Sequence, residues 1–180
     1  RGVFYAPEEA VEEILQNSFI KFWENIECGK ICTENNIVKG KDGKPLSSSI
    51  RTYFMGIAKL SGMRSKDPNT QVGACIVSQN NKILSMGYNG FPVGCSDDEF
   101  PWARVGDTTD TKYAYVTHAE LNAILNYRGN LEGAKLYVSL FPCNECAKAI
   151  IQAGIKTVVY GDNKYDGTSS VIASKRMFKA

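Results

Sequence analysis

The chain has 180 residues, enough for one domain with a true hydrophobic core plus an appendage. Its 43% hydrophobic and 22% charged residues read as a soluble globular protein and exclude a disordered one. Lys and Arg number 21 against 19 Asp and Glu, a net of +2, so nothing argues for duplex nucleic acid or a membrane surface, and no apolar run nears the roughly 18 residues of a membrane span.

The chain opens on Arg1, with neither Met nor a secretory signal, which reads as a trimmed chain. In residues 7–26 (PEEAVEEILQNSFIKFWENI) Pro7 suits a first helical position and the two glutamates after it suit the helix dipole. Val11, Ile14, Leu15, Phe19, Phe22, Trp23 and Ile26 recur at helical spacing, so this helix needs a surface to pack against. A polar stretch follows and ends in GKDGKPLSSS (40–49), whose Gly, Pro and Ser mark a linker. Residues 1–49 are therefore expected to be a helical extension serving assembly or regulation, and residues 50–180 a separate domain.

Within that domain, 51–65 reads as a helix. QVGACIV (71–77) and KILSMGYN (82–89) read as strands of a hairpin turning at SQNN. The segment 90–116 is a long loop rich in Gly, Pro and Asp, of a length that in a compact domain usually marks function. A helix from about 117, a strand 134–140, a helix from Cys143, a strand 156–160 and a helix near 169–179 follow. Strands alternating with helices predict a three-layer α/β domain.

Two spaced motifs carry the chemistry. Cys143 and Cys146 stand three apart at a helix start after Pro142, so their thiols share one face, and the helix N-terminus favours their thiolates. His118, the single histidine, lies 25 residues before Cys143 in THAEL, opening another helix for which Thr117 is the expected N-cap. One His and two Cys make a three-ligand metal set. A structural zinc needs a fourth ligand, from Cys28, Cys32, Cys75 or Cys95, whereas a catalytic zinc leaves the fourth place for water. A redox dithiol would sit after a strand near the chain start. Glu120, two residues past His118, is the carboxylate that such a catalytic site requires as proton carrier. Together the motifs spell H-x-E…P-C-x-x-C, the pattern of zinc-dependent nucleobase deaminases. Six cysteines are too sparse for a disulfide scaffold, and Cys75 sits in the apolar run VGACIV, which predicts a reducing, cytoplasmic setting.

Longer stretches add to this. RSKDPNTQVGACIV (64–77), GYNGFPVGCSDD (87–98), DTKYAYVTHAELNAI (110–124), YVSLFPCNECAKAIIQAGIK (137–156) and DNKY (162–165) resemble the zinc-dependent cytidine/deoxycytidylate deaminase family, on its deoxycytidylate branch, from about Arg51 onward. The resemblance implies a cytidine-deaminase-like fold, a mixed sheet of about five strands flanked by helices. It implies a catalytic Zn2+ on His118, Cys143 and Cys146, and hydrolysis of dCMP to dUMP and ammonia with Glu120 moving the protons. It places Asn89 at the sugar and phosphate side, Val72, Gly73 and Ala74 along the base pocket, and Tyr165 near the pyrimidine. It puts a regulatory nucleotide at the loop carrying Tyr88, Gly90, Gly94, Asp97 and Asp98, with dCTP and Mg2+ activating and dTTP inhibiting. A homo-oligomer, with a hexamer favoured, is implied as well, and no nucleic-acid or membrane partner. Arg64, Lys66, Arg104, Lys112 and Arg128 are the candidate phosphate cations.

Residues 1–49 match nothing in the typical enzyme. This opens a competing reading, a dCTP deaminase module fused into a nucleotide-depleting phage-defence protein. A third reading is a non-catalytic nucleotide sensor, against which the presence of Glu120 speaks.

Overall fold

The computed structural model describes residues 50–180, which form one compact unit. The expected extension 1–49, with its helix 7–26 and the linker 40–49, lies outside the described residues. The elements run α1 (Ile50–Gly62), β1 (Gly73–Val77), β2 (Ile83–Tyr88), α2 (Ala119–Leu125), β3 (Lys135–Leu140), α3 (Asn144–Gln152), β4 (Thr157–Asp162) and α4 (Ser169–Phe178). Each expected helix and strand of the domain is present within a few residues of its predicted ends.

The sheet has the order β2-β1-β3-β4. β1 pairs antiparallel with β2 and with β3, and β3 pairs parallel with β4. Four strands stand among the described residues where about five were expected. The mixed pairing follows from the connections: a short turn at 78–81, with Asn81 at φ 59°, joins β1 to β2, whereas helix α3 carries the chain over between parallel β3 and β4.

β1 (GACIV) is buried at all five positions, because it is covered on both faces. The side-chain alternation shows how. Ala74 and Ile76 face a core with Ala119 and Ala123 of α2, Leu136 and Val138 of β3, and Ile150 of α3. Cys75 and Val77 face the other core, with Phe54 and Ala58 of α1 and Tyr137. That is the three-layer arrangement. Fully buried aliphatic side chains such as Ile76, Leu136 and Ile150 each contribute about 1.5–3 kcal/mol. Close packing of both layers depends on two glycines. A Cβ on Gly73 would run into the Ala58 carbonyl and the Gly62 backbone of α1, and one on Gly87 into the Ala119 carbonyl and the Ala123 nitrogen of α2.

This topology collects chain ends at one edge of the sheet. Gly73 at the start of β1 pairs with Tyr88 at the end of β2, and parallel β3 and β4 both end there, at Leu140 and Asp162. The loop from Asn89 to His118 is closed at its neck by a bridge, Gly90 N–H to Thr117 O at 3.1 Å and Thr117 N–H to Gly90 O at 2.9 Å. Its aromatic residues pack on one another, Phe91 on Trp102 at 4.2 Å and Phe100 on Tyr115 at 5.1 Å, which gives the loop a small core. No helix among the described residues is long and apolar enough to cross a membrane.

Candidate active site

Strand-to-helix turns set the site. The neck bridge at Thr117 delivers His118 to the N-cap of α2 in an extended conformation. From there the helix turns Glu120 inward, where it is only 4% exposed. The end of β3 runs through Phe141 and Pro142 into Cys143, the N-cap of α3, whose sulfur accepts from the Cys146 N–H at 3.5 Å. Both motifs thus stand at helix N-termini, where backbone N–H groups favour anionic sulfur and carboxylate.

His118 Nδ1 lies 3.4 Å from Cys143 Sγ and 3.4 Å from Cys146 Sγ, and the three ligand atoms all fall within 4.8 Å of one another. A tetrahedral zinc, with Zn–S about 2.3 Å and Zn–N about 2.0–2.1 Å, separates nitrogen and sulfur ligands by about 3.5 Å. The donor set fits zinc in spacing and in softness. Its electrostatics agree. Cys143 is lowered to about 4, first by the hydrogen bond from Cys146 and then by His118. Cys146 is driven strongly upward, because it holds the hydrogen shared with Cys143 and because it is buried. The hydrogen bond to Cys143 raises His118 above its ordinary value. Burial raises the Glu120 carboxyl, opposed by its own backbone N–H and by His118. Two sulfurs forced to share one proton beside a buried carboxyl are a set that a divalent cation completes. Among the described residues it is the one His/Cys/Asp/Glu group so arranged that includes a histidine.

His118, Glu120 and Cys143 open onto a cavity of about 390 Å³, large enough for a nucleotide-sized ligand. Val72, Asn89 and Tyr165 stand on its wall, with Leu140 and Phe141 as its apolar part. Gly73 and Ala74 do not. Strand alternation turns Gly73 onto α1 and Ala74, 0% exposed, under α2, so only Val72 of that trio meets the cavity. The residues expected at a regulatory nucleotide stand outside the wall. Tyr88 O accepts from Asn122 Nδ2, Gly90 forms the neck bridge, and Gly94 sits at φ +92° in open space. Asp97 pairs with Lys66 at 2.7 Å, and the Asp98 N–H bonds Ser96 Oγ at 3.3 Å.

Of the five candidate cations, Arg104 and Lys112 reach the cavity wall. Lys66 is spent on Asp97 at the surface, and Arg64 and Arg128 are exposed away from the wall. Arg104 Nε donates to Tyr113 OH at 3.1 Å. Asp67, Thr70 and Ser170 also stand on the wall and were not expected there. For Asp67 the signal was present in part. In DPNT its carboxylate accepts the N–H groups of Asn69 and Thr70, a short-range turn that an Asp-Pro sequence favours.

A three-layer α/β domain that presents one His, two Cys and a buried glutamate at the rim of a cavity defines a metal-dependent hydrolytic site. Residues 48–162 match the family model described as the cytidine and deoxycytidylate deaminase zinc-binding region. The deoxycytidylate deaminases of Homo sapiens and Mus musculus are each 57% identical to this chain, over 128 and 129 residues, spanning 70% and 71% of it and 72% of their own length. Among solved structures, the dCMP deaminase of the cyanophage S-TIM5 in complex with dCMP and dUMP superposes with a TM-score of 0.57 at 28% identity, covering 73% of this chain and 94% of that one. This chain belongs to the zinc-dependent cytidine and deoxycytidylate deaminase family.

Proposed function

We propose that this chain converts dCMP and water to dUMP and ammonia. The observation that carries the reading is one cavity onto which His118 and Cys143 of the three-residue donor set, a buried Glu120 and two cations, Arg104 and Lys112, all open. The cations suit a phosphate, the donor set and carboxyl suit an aminopyrimidine, and the relatives named deoxycytidylate deaminase support the same substrate.

Zinc, when bound by those three side chains, supplies the Lewis acidity that makes water a nucleophile near neutral pH. The protein's own groups do the rest. Glu120 takes a proton from the attacking water and delivers it to ring N3 as the C4–O bond forms. It then passes the second proton to the amine at C4, the C4–N bond breaks, and ammonia departs. No electrons change hands. A carboxyl raised by burial suits both the taking and the giving, because its affinity for protons lies nearer to the working pH. Val72, Leu140 and Phe141 offer the apolar walls for a planar base, and Tyr165 stands beside them. The buried Glu120 favours an enzyme over a nucleotide sensor.

The same reading assigns residues 50–180 to the deaminase domain and residues 1–49 to assembly or regulation. It includes a cytoplasmic setting, supported by free thiols at Cys75 and Cys95. It also includes a homo-oligomer, with a hexamer favoured, and regulation by dCTP with Mg2+ and by dTTP; the support for these is family membership. Ammonia release from cytidine, deoxycytidine, dCMP and dCTP by the zinc-loaded protein tests the substrate. A preference for dCMP is expected, and a preference for dCTP would replace this reading with the nucleotide-depleting one.

A further inference from the structure

Helix α2 presents His118 and Glu120 to the site, yet it has only seven residues. An isolated helix shorter than about 12–15 residues is marginal in water, so what α2 touches decides where it stands. It touches β2, which ends the sheet among the described residues and leaves one strand edge open.

The backbone shows which groups line that edge. Asn89 N–H turns inward to Val72 O at 3.2 Å, so the carbonyls of the alternate residues Met86, Tyr88 and Gly90 point outward, away from β1. Each finds a donor on the α2 segment. Met86 O accepts Asn126 Nδ2 at 3.2 Å, Tyr88 O accepts Asn122 Nδ2 at 2.8 Å, and Gly90 O accepts Thr117 N–H at 2.9 Å. The two asparagines match by spacing. Two residues of strand advance about 6.6 Å and four residues of helix about 6 Å, so amides at Asn122 and Asn126 meet alternate carbonyls. Facing only acceptors, each amide turns its NH2 to the strand. The helix thus takes the place of a neighbouring strand, with side-chain N–H groups standing in for backbone ones. Its own backbone continues the row. Asn122 N–H binds His118 O at 2.9 Å, and Ser85 Oγ ties the far end by donating to Ala123 O at 2.7 Å.

We propose that Asn122 is a positioning residue for the site. Its bond to Tyr88 O lies on one side of His118 and Glu120, and the Thr117–Gly90 bridge lies on the other. Together they fix the register of α2 against β2, and so the placing of a metal donor and the proton carrier relative to Cys143 and Cys146 on α3. Asn122 is not on the cavity wall, so it acts through those two side chains and not on the ligand. It is half-buried, and removing its amide leaves the Tyr88 carbonyl short of a partner. Asn126 makes the same contact in an exposed place, where water replaces it. The part of the proposal that concerns turnover rests on the dCMP reading given above.

Asn122→Leu keeps the size of the side chain and removes the donor. Two quantities are read: kcat and KM for dCMP at saturating zinc, and zinc affinity by competition with a chelator. Losing a group that orients a metal ligand costs about 10- to 100-fold in metal affinity or activity, and falls of that size are expected in both kcat and zinc affinity, with KM unchanged. Asn122→Asp, which stays polar but offers Tyr88 O no hydrogen, should do the same and serves where the leucine variant does not fold. Asn126→Leu should stay within about twofold of wild type in both quantities. Val77→Ala, which loosens the core on the α1 side of the sheet, should lower Tm while kcat, measured well below Tm, holds. Unchanged kcat and zinc affinity in the Asn122 variants would overturn the proposal. So would a raised KM at constant kcat, which would put Asn122 on the substrate, or an equal fall in Val77→Ala, which would reduce the effect to general loosening. Wild-type protein that binds zinc but leaves dCMP intact would refute the functional reading, and the zinc affinity of the Asn122 variants alone would then decide the positioning role.

Discussion

Replacing Glu120 by Gln keeps the shape of the side chain and removes its ability to carry a proton. The carboxyl is 4% exposed, so bulk water does not substitute for it readily. The other acidic side chain on the cavity wall, Asp67, is saturated by four donors and has no lone pair free for a proton in transit. On the proposed reading His118 and Cys143 are engaged as metal donors and do not serve as the base. The full general acid–base contribution should therefore be lost, at least about 100-fold and up to about 10,000-fold in kcat. In barrier height that is about 2.7–5.4 kcal/mol. Turnover is followed by the loss of cytosine absorbance and metal content by emission spectrometry on the same sample. The expected result is one zinc per chain, an unchanged KM and a collapsed kcat. A variant that keeps about a tenth of the wild-type rate would show that another group moves the protons. A variant that loses its zinc would show that Glu120 serves the metal site instead.

Gly87→Ala should cost about 1–3 kcal/mol by overpacking, because the new methyl meets the backbone of α2 at Ala119 and Ala123 and that backbone cannot swing aside as a flexible side chain would. The same push displaces the helix that carries His118 and Glu120, so kcat should fall by more than the loss in Tm explains; an unaltered kcat would show that α2 shifts without moving the site. Asp67 predicts an acid limb of stability. Burial alone would raise its carboxyl, but the hydrogen bonds from Lys112, Asn69 and Thr70 outweigh this and hold it below its ordinary value. A depressed folded-state pKa means stability that is present above the unfolded value and lost as pH falls through the folded one. In urea titrations the gap between wild type and Asp67→Asn should thus narrow below about pH 4, and a gap that stays constant would refute the assignment.

The sequence carried the order of elements because each rests on local signals. The buried five-residue run GACIV, the apolar alternation after it and the start of α3 at Cys143 are legible within a few residues of chain, whereas the N-cap of α2 is His118 and not Thr117 as expected. The metal set was legible for a different reason. His118 and Glu120 are two apart on one helix start and Cys143 and Cys146 three apart on another, so each half is a local pattern and only their meeting is long-range. What could not be read depended on sheet faces and loop paths. Val72, Gly73 and Ala74 are adjacent in sequence, yet pleating sends them to the cavity, to α1 and to α2. Which cations reach the wall depends on the course of the 89–118 loop, held by its own aromatic packing and by the neck bridge. The Asp67–Lys112 pair joins residues with no sequence pattern in common.

The charges gathered by that loop bear on the choice between a monophosphate and a triphosphate. Apart from Glu120 and the His118 and Cys143 pair at the metal end, the charged side chains on the cavity wall are Arg104, Lys112 and Asp67, a net of 2 − 1 = +1. Lys164 donates to Thr70 Oγ1 on the same wall at 3.3 Å and brings the local sum to +2. A phosphate monoester at neutral pH carries about −1.5 to −2, which this set balances. A triphosphate brings two further ionised phosphoryl groups, for which the wall offers no additional cation among the described residues, and in a partly desolvated cavity such an excess is disfavoured. Charge balance therefore favours the monophosphate, on grounds independent of the names of the relatives. Arg104 is the most direct handle on this balance. It is exposed and, among the described residues, hydrogen-bonded to Tyr113, so it can swing to a ligand at little cost, whereas Lys112 is already committed to Asp67.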